Sequence, residues 1–138
     1  MTPARMAALH GACFARGWPE AEMAELLAKP TTLAATTDHG FALLQLIAPE
    51  AEVLTIIVDP ALRGQGHGRA LLGQALLAAQ KGGAETVFLE VDAENAPARA
   101  LYTRAGFIQT GTRKGYYTHK TGRHSDAIVM ARALEPGI

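Results

Sequence analysis

Residues 58–71 read Val-Asp-Pro-Ala-Leu-Arg-Gly-Gln-Gly-His-Gly-Arg-Ala-Leu, which places glycines at 64, 66 and 68 and arginines at 63 and 69. Alternating glycines let a backbone approach a ligand closely and leave successive N–H groups exposed. A helix that follows such a loop adds unpaired N–H groups and the positive end of its dipole, and Arg63 and Arg69 add charge, so the segment forms a cradle for phosphate oxygens. An ordinary turn accounts for one of these glycines better than for three. A nucleoside-triphosphate loop needs lysine followed by serine or threonine where this chain has Arg69-Ala70. A dinucleotide turn is opposed as well: five residues separate Val58 from the first glycine, and the third small residue of that motif falls on Arg69 or Leu71.

Three further groups could handle protons or shape a substrate. Glu90 alternates with Val87, Leu89 and Val91 near the end of an apolar run. A carboxylate in that setting is a candidate general base, or simply a solvated or ion-paired group at a strand end. Tyr102 is either a core tyrosine or a proton donor. Tyr116 and Tyr117 are adjacent, so on a regular strand they face opposite sides; one packs and the other shapes a groove, or both are structural. His119 and His124 lack the further ligands and fixed spacing of a metal site, and no metal is expected. His10 and His39 are read as helix-surface and turn residues. Trp18 is expected at a helix–helix corner, and the lone Cys13 as a packed thiol beside Leu9.

These residues must be positioned by a mixed α/β fold. Residues 3–14 read as a helix with Met6, Leu9 and Cys13 at helical spacing, and Pro19 opens a second helix, with Met23, Leu26 and Leu27 as its stripe, that ends at Lys29-Pro30. Residues 31–37 and 41–47 form a hairpin about Asp38-His39-Gly40, and residues 53–58 form a central strand. A helix over 69–81, with Leu72, Ala75, Leu76 and Ala79 on one face, leads to a strand at 86–91, a unit that favours parallel pairing. A helix at 95–105 and strands at 107–113 and 127–134 follow, the last two separated by a polar loop at 114–126.

Arg63-Gly64-Gln65-Gly66-His67-Gly68 fits the Arg/Gln-x-x-Gly-x-Gly/Ala signature of the GNAT superfamily of N-acetyltransferases, with His67 where relatives carry Leu or Ile. Phe88-Leu89-Glu90-Val91, the run from Asn95 to Tyr102, and Gly106-Phe107 fit a second segment of that family at the right spacing. The chain therefore resembles this superfamily. Within it the chain is similar to the ribosomal-protein-alanine N-terminal acetyltransferases, through Trp18, Leu89-Glu90-Val91, Tyr116-Tyr117, Gly122-Arg123 and Asp126-Ala127-Ile128-Val129-Met130.

The resemblance implies a single N-acetyltransferase domain over 1–138, with a central mixed sheet flanked by helices, and acetyl-CoA as substrate without a metal. It implies cofactor contacts from Ile57, Val58, Arg63, Gly64, Gln65, Gly66, His67, Gly68, Arg69, Asn95 and Tyr102, with the backbone N–H of Val58 facing the oxyanion. It gives Glu90 the role of base and Tyr102 that of acid, and sets Trp18, Tyr116 and Tyr117 about a peptide N-terminus. Two departures touch the acceptor side. Relatives read Asn-Tyr-Tyr-Pro where this chain has Gly115-Tyr116-Tyr117-Thr118, and they carry a strand ahead of the first helix that is expected to be missing here.

Composition narrows the alternatives. The chain has 138 residues, 13 basic against 13 acidic, with 49% hydrophobic and 19% charged. That suits one globular domain, gives no field to attract nucleic acid, and leaves a weakly charged surface that a second subunit is expected to cover at the exposed sheet edge. One cysteine excludes an intramolecular disulfide scaffold. No apolar run reaches membrane-spanning length and no signal-peptide pattern opens the chain, so the cytoplasm is the expected compartment. Competing functions are acetylation of a small amine (a polyamine, an aminoglycoside or an amino acid) and a non-catalytic acetyl-CoA-binding module.

Overall fold

The computed structural model describes residues 1–13 and 18–134, with the side chains of residues 12 and 13 outside that description. The expected packing of Cys13 therefore lies outside the described residues. The chain runs α1 (Pro3–Cys13), α2 (Glu20–Ala28), β1 (Thr32–Thr36), β2 (Gly40–Ile47), β3 (Glu50–Val58), α3 (His67–Lys81), β4 (Thr86–Asp92), α4 (Ala96–Arg104), β5 (Ile108–Thr118) and β6 (His124–Ala133). The six strands form one mixed sheet in the order β1-β2-β3-β4-β6-β5, in which only β3 and β4 are parallel.

Helices cover both faces, which explains why β2 and β3 read as nearly continuous apolar runs. On one face α3 buries Leu71, Leu72, Ala75, Leu76 and Ala79 against Ala42, Leu44, Ala51, Val53, Val87 and Leu89, joined by Tyr102 of α4 and by Phe107. On the other, Met6 of α1 and Met23 of α2 close over Phe41, Leu43 and Ile57. Each large side chain removed from water in this way contributes about 1.5–3 kcal/mol. A bulge in β3 sets which residues face which helices. Leu44 opposes Val53 and Leu43 opposes Thr55, so Leu54 is the extra residue. It shifts the alternation, so that Ala51 and Val53 before it, and Ile56 and Val58 after it, all pack toward α3.

Two features open the sheet where chemistry could occur. The β3–β4 ladder comprises only Glu50–Thr86, Ala51–Val87 and Glu52–Phe88, although β3 continues to Val58 and β4 to Asp92. The second feature corrects the sequence reading. Residues 114–126, expected to be a loop, extend β5 and β6 into a hairpin in which Tyr117 opposes Ser125 and Thr118 opposes His124. This ribbon projects past the sheet body with both faces largely wet, so it carries no apolar alternation that a sequence could display.

Candidate active site

The glycine loop sits at the C-terminal end of β3. The Asp59 side chain accepts a hydrogen bond from the Ala61 N–H at 3.0 Å, holding a short 3-10 turn at Pro60–Leu62, and the Asp59 N–H donates to the His39 carbonyl at 2.8 Å. The chain then bends through Gly64 and Gly66, with φ of +80° and +84°, a region that L side chains rarely adopt. Gly66 caps α3, which starts at His67, two residues before the expected Arg69, because the helix can begin directly after the left-handed glycine. Gly68 lies in the first turn, where an added Cβ would sit 3.5 Å from Leu101 and 3.8 Å from Val58. Arg63, Gln65 and Arg69 are exposed around the loop, and the His67 ring meets the His39 ring edge-on at 4.9 Å. Ile57 is turned into the α1/α2 core and is 2% exposed, so only its backbone is available to a ligand there.

Across the short ladder, β4 buries Val87, Leu89 and Val91 against α3 and turns Phe88 and Glu90 to the opposite face. Glu90 there lines an open groove of about 330 Å³ with Gln45, Glu50, Glu52, Phe88 and Arg113. The Arg113 Nε lies 2.9 Å from Glu90 Oε1, and the guanidinium carbon lies 5.4 Å from the centroid of the Tyr116 ring. The Arg113 side chain is 59% exposed, and ion pairs this wet contribute about 0–1 kcal/mol, so this one can be displaced or shared by a ligand.

The two tyrosines divide as their adjacency demands. Tyr116 is 52% exposed while Tyr117 is half-buried, with ring centroids 5.2 Å apart in an edge-to-face contact. Burial, together with the charges of Glu90 and Asp92, pushes the Tyr117 phenol up to about 12. Tyr102, 9% exposed and edge-on to Phe107 at 5.9 Å, is also pushed up to about 12, first by burial and then by Tyr117. Tyr117 thus lies within electrostatic reach of both Glu90 and Tyr102 and links the open face of the sheet to the buried one.

A loop of this shape at the end of β3, a solvent-reached carboxylate on β4 and a protonated phenol on α4 are the parts an acyl transfer to an amine requires. Comparison with known proteins points the same way: the sequence profile of the acetyltransferase (GNAT) family matches residues 4–107. The chain belongs to the GNAT family. It is 45% identical over 92 residues to a ribosomal protein bS18-alanine N-acetyltransferase of Escherichia coli (strain K12), an alignment covering 67% of this chain and 62% of that enzyme. A ribosomal protein bS18-alanine N-acetyltransferase of Haemophilus influenzae is 38% identical over 92 residues, with the same coverage of 67% and 62%. The chain thus spans less than two thirds of the length of these curated relatives. The crystal structure of the ribosomal-protein-S18-alanine N-acetyltransferase from Escherichia coli superimposes with a TM-score of 0.87 at 33% identity, covering 98% of this chain and 89% of that one.

The remaining expected residues of this GNAT chain fall in two places. Asn95 caps α4, its Oδ1 accepting from the Ala98 N–H at 3.2 Å. Trp18 is half-buried at the α1–α2 corner, its ring stacked on His10 at 4.3 Å and its backbone N–H donating to His10 Nδ1 at 3.2 Å. His10 is 5% exposed, which corrects the helix-surface reading. The structure brings Glu90, Arg113, Tyr116 and Tyr117 together; Trp18 packs among the residues of the α1/α2 core. Sequence reasoning missed Arg113 and the partners of His119, whose Nε2 lies 2.8 Å from Ser125 Oγ and 3.6 Å from Asp92. It also missed the Arg123–Glu94 ion pair, which ties the hairpin tip to the segment after β4 and holds the Glu94 carboxyl below its usual range. A strand register for residues 114–126 was the one signal that could have revealed these contacts. Among the described residues no group of three or more His, Cys, Asp or Glu side chains could hold a metal ion.

Proposed function

We propose that the protein transfers the acetyl group of acetyl-CoA directly, in a ternary complex, to the α-amine of a protein or peptide N-terminus of the ribosomal-protein-alanine type. The observation that carries this reading is the break in the β3–β4 ladder beyond Glu52 and Phe88, which lies between a phosphate cradle at the end of β3 and a carboxylate reached by solvent on β4. The cradle, with Arg63 and Arg69, takes the pyrophosphate, and Asn95 and the Ile57-Val58 backbone lie along the cofactor's arm. The acceptor enters through the groove beside Tyr116 and Tyr117, and Trp18, at the α1–α2 corner, is assigned to the acceptor side by resemblance alone. Homologues named for acetylating the alanine of bS18 support a protein acceptor. The reaction is assigned to the cytoplasm, and a second copy along the edge strand β1 belongs to the same proposal.

A peptide α-amine titrates at about 7.7–8.0, so only a minority is neutral at pH 7 and a base is needed to collect its proton. Glu90 does so, directly or through a water. The amine nitrogen attacks the thioester carbonyl carbon, the C–N bond forms, the C–S bond breaks, and the coenzyme leaves as a thiolate. Tyr102 faces that thiolate as a donor. Burial keeps its phenol at about 12, so the proton is present throughout the neutral range. Full handover to a thiolate whose conjugate acid titrates at about 8.5 is uphill, so Tyr102 acts mainly by donating a hydrogen bond until solvent supplies the proton.

One observation favours a second reading. The groove presents Glu50, Glu52 and Glu90 against Arg113, its one cation among the described residues, a setting a polyamine would also enter. Thiol release from acetyl-CoA over a panel of N-terminal peptides and small amines, with products weighed by mass spectrometry, separates the two. Turnover of an alanine-starting ribosomal peptide, with a drop of about 10²-fold in kcat for Glu90→Gln, is the expected result. Turnover of small amines alone overturns the peptide reading.

A further inference from the structure

We propose that Arg113 selects the acceptor by reading the carbonyl oxygen next to the reacting amine and by excluding polyamines from the groove. The inference rests on the reading that the acceptor amine comes to Glu90. Among the described residues, the contacts of Arg113 are Nε to Glu90 Oε1 at 2.9 Å and the guanidinium over the Tyr116 ring at 5.4 Å. A guanidinium carries five N–H donors in a fixed fork, so both Nη groups remain to donate. Arg113 also lines the groove, and those donors stand at its wall beside the base.

Two kinds of amine meet this wall differently. An α-amino acyl group has a carbonyl carbon two bonds from its nitrogen, so its oxygen falls roughly 3–4 Å from the amine. When that amine approaches Glu90, the oxygen comes within range of the Nη groups, and Nε keeps its hold on the carboxylate. A polyamine brings ammonium groups and methylenes only. It competes with Arg113 for the same carboxylate, offers the guanidinium no oxygen in return, and meets a like charge at the groove wall. Without Arg113, the described lining would keep three carboxylates, Glu50, Glu52 and Glu90, and no cation, the field that concentrates polycations. The same residue thereby resolves the ambiguity that the acidic groove creates.

The test compares wild type with Arg113→Gln and Arg113→Lys on three probes. These are an alanine-starting peptide, its alkene analogue with an E-alkene in place of the first amide, and spermidine as a competitive inhibitor of the peptide. Arg113→Gln is expected to raise the peptide KM about tenfold, as loss of a charge-assisted hydrogen bond does, with kcat within threefold. It should leave the KM of the alkene analogue unchanged and tighten the spermidine inhibition constant at least fivefold. Arg113→Lys keeps the charge without the fork, so spermidine stays excluded while the peptide KM recovers only in part. Equal effects on the peptide and its alkene analogue, or a loss confined to kcat, overturn the proposal. So does loss of fold in both variants, which would make Arg113 a structural residue. Glu90→Gln is read separately: unchanged kcat there removes the base, while the peptide-to-analogue comparison still decides Arg113.

Discussion

Tyr102 is 9% exposed, and its phenol, held at about 12, keeps its proton across the neutral and mildly basic range in which the proposed transfer would be assayed. A donor of that kind leaves a particular kinetic trace. Tyr102→Phe is expected to lower kcat by about tenfold or more with little change in the KM for acetyl-CoA, because the hydroxyl matters as the C–S bond breaks. In wild type, kcat should show no decline up to pH 10 from ionisation of this group; a basic limb near pH 8–9 that vanishes in Tyr102→Phe would contradict it. The placement of Glu90 on the open face of β4 was legible in the alternation of a strand with one buried face, while the acid role of Tyr102 came only from resemblance and stays part of the proposal. Arg113 was not legible. Its partner lies two strands away, with β6 between them, and the β5–β6 register shifts between Arg113 and Tyr117. No local pattern encodes a contact that depends on both registers.

Among the elements, α3 and the strands that face it were legible because each has one clean apolar face, and Leu72, Ala75, Leu76 and Ala79 are all buried as the helical period requires. The hairpin at the end of β5 and β6 was not, since its side chains are largely wet and it is held by backbone pairing and by the Asp126 side chain, which accepts from the Gly115 N–H at 2.9 Å. Glycines separate in the same way when their surroundings are considered. Gly40 opens β2 so close to β3 that an added Cβ would run into the Ile57 carbonyl oxygen, while Gly73 on α3 has open space around it. Gly40→Ala is therefore expected to destabilise by about 1–3 kcal/mol. Gly73→Ala should stabilise by about 0.5–1 kcal/mol through helix propensity alone. Urea titrations of both variants check the contrast, and equal shifts would show that the close approach at Gly40 has no energetic weight.

At the scale of the molecule, the balance of 13 basic and 13 acidic residues leaves anion capture to the local charges and N–H groups of the loop. Among the described residues the core under α3 is the larger, and a separate cluster lies under α1 and α2. His10 belongs to the smaller one, and burial holds its imidazole below the usual histidine range. The unfolded chain therefore takes up this proton first as pH falls through about 6.5, so the stability tied to neutral His10 is present above that pH and is lost below it. Melting at pH 7.5, 6 and 5 should show a steeper fall for wild type than for His10→Gln; parallel falls would remove His10 from the acid sensitivity. The strand order carries one more consequence, concerning the direction of synthesis. Strands β1 to β3 pair with their neighbours in sequence and can close as soon as they are made, but β6 lies between β4 and β5 and pairs with both. The β4–β6 and β5–β6 ladders, and with them the approach of Arg113 to Glu90, thus cannot form on a nascent chain until residues 124–133 emerge.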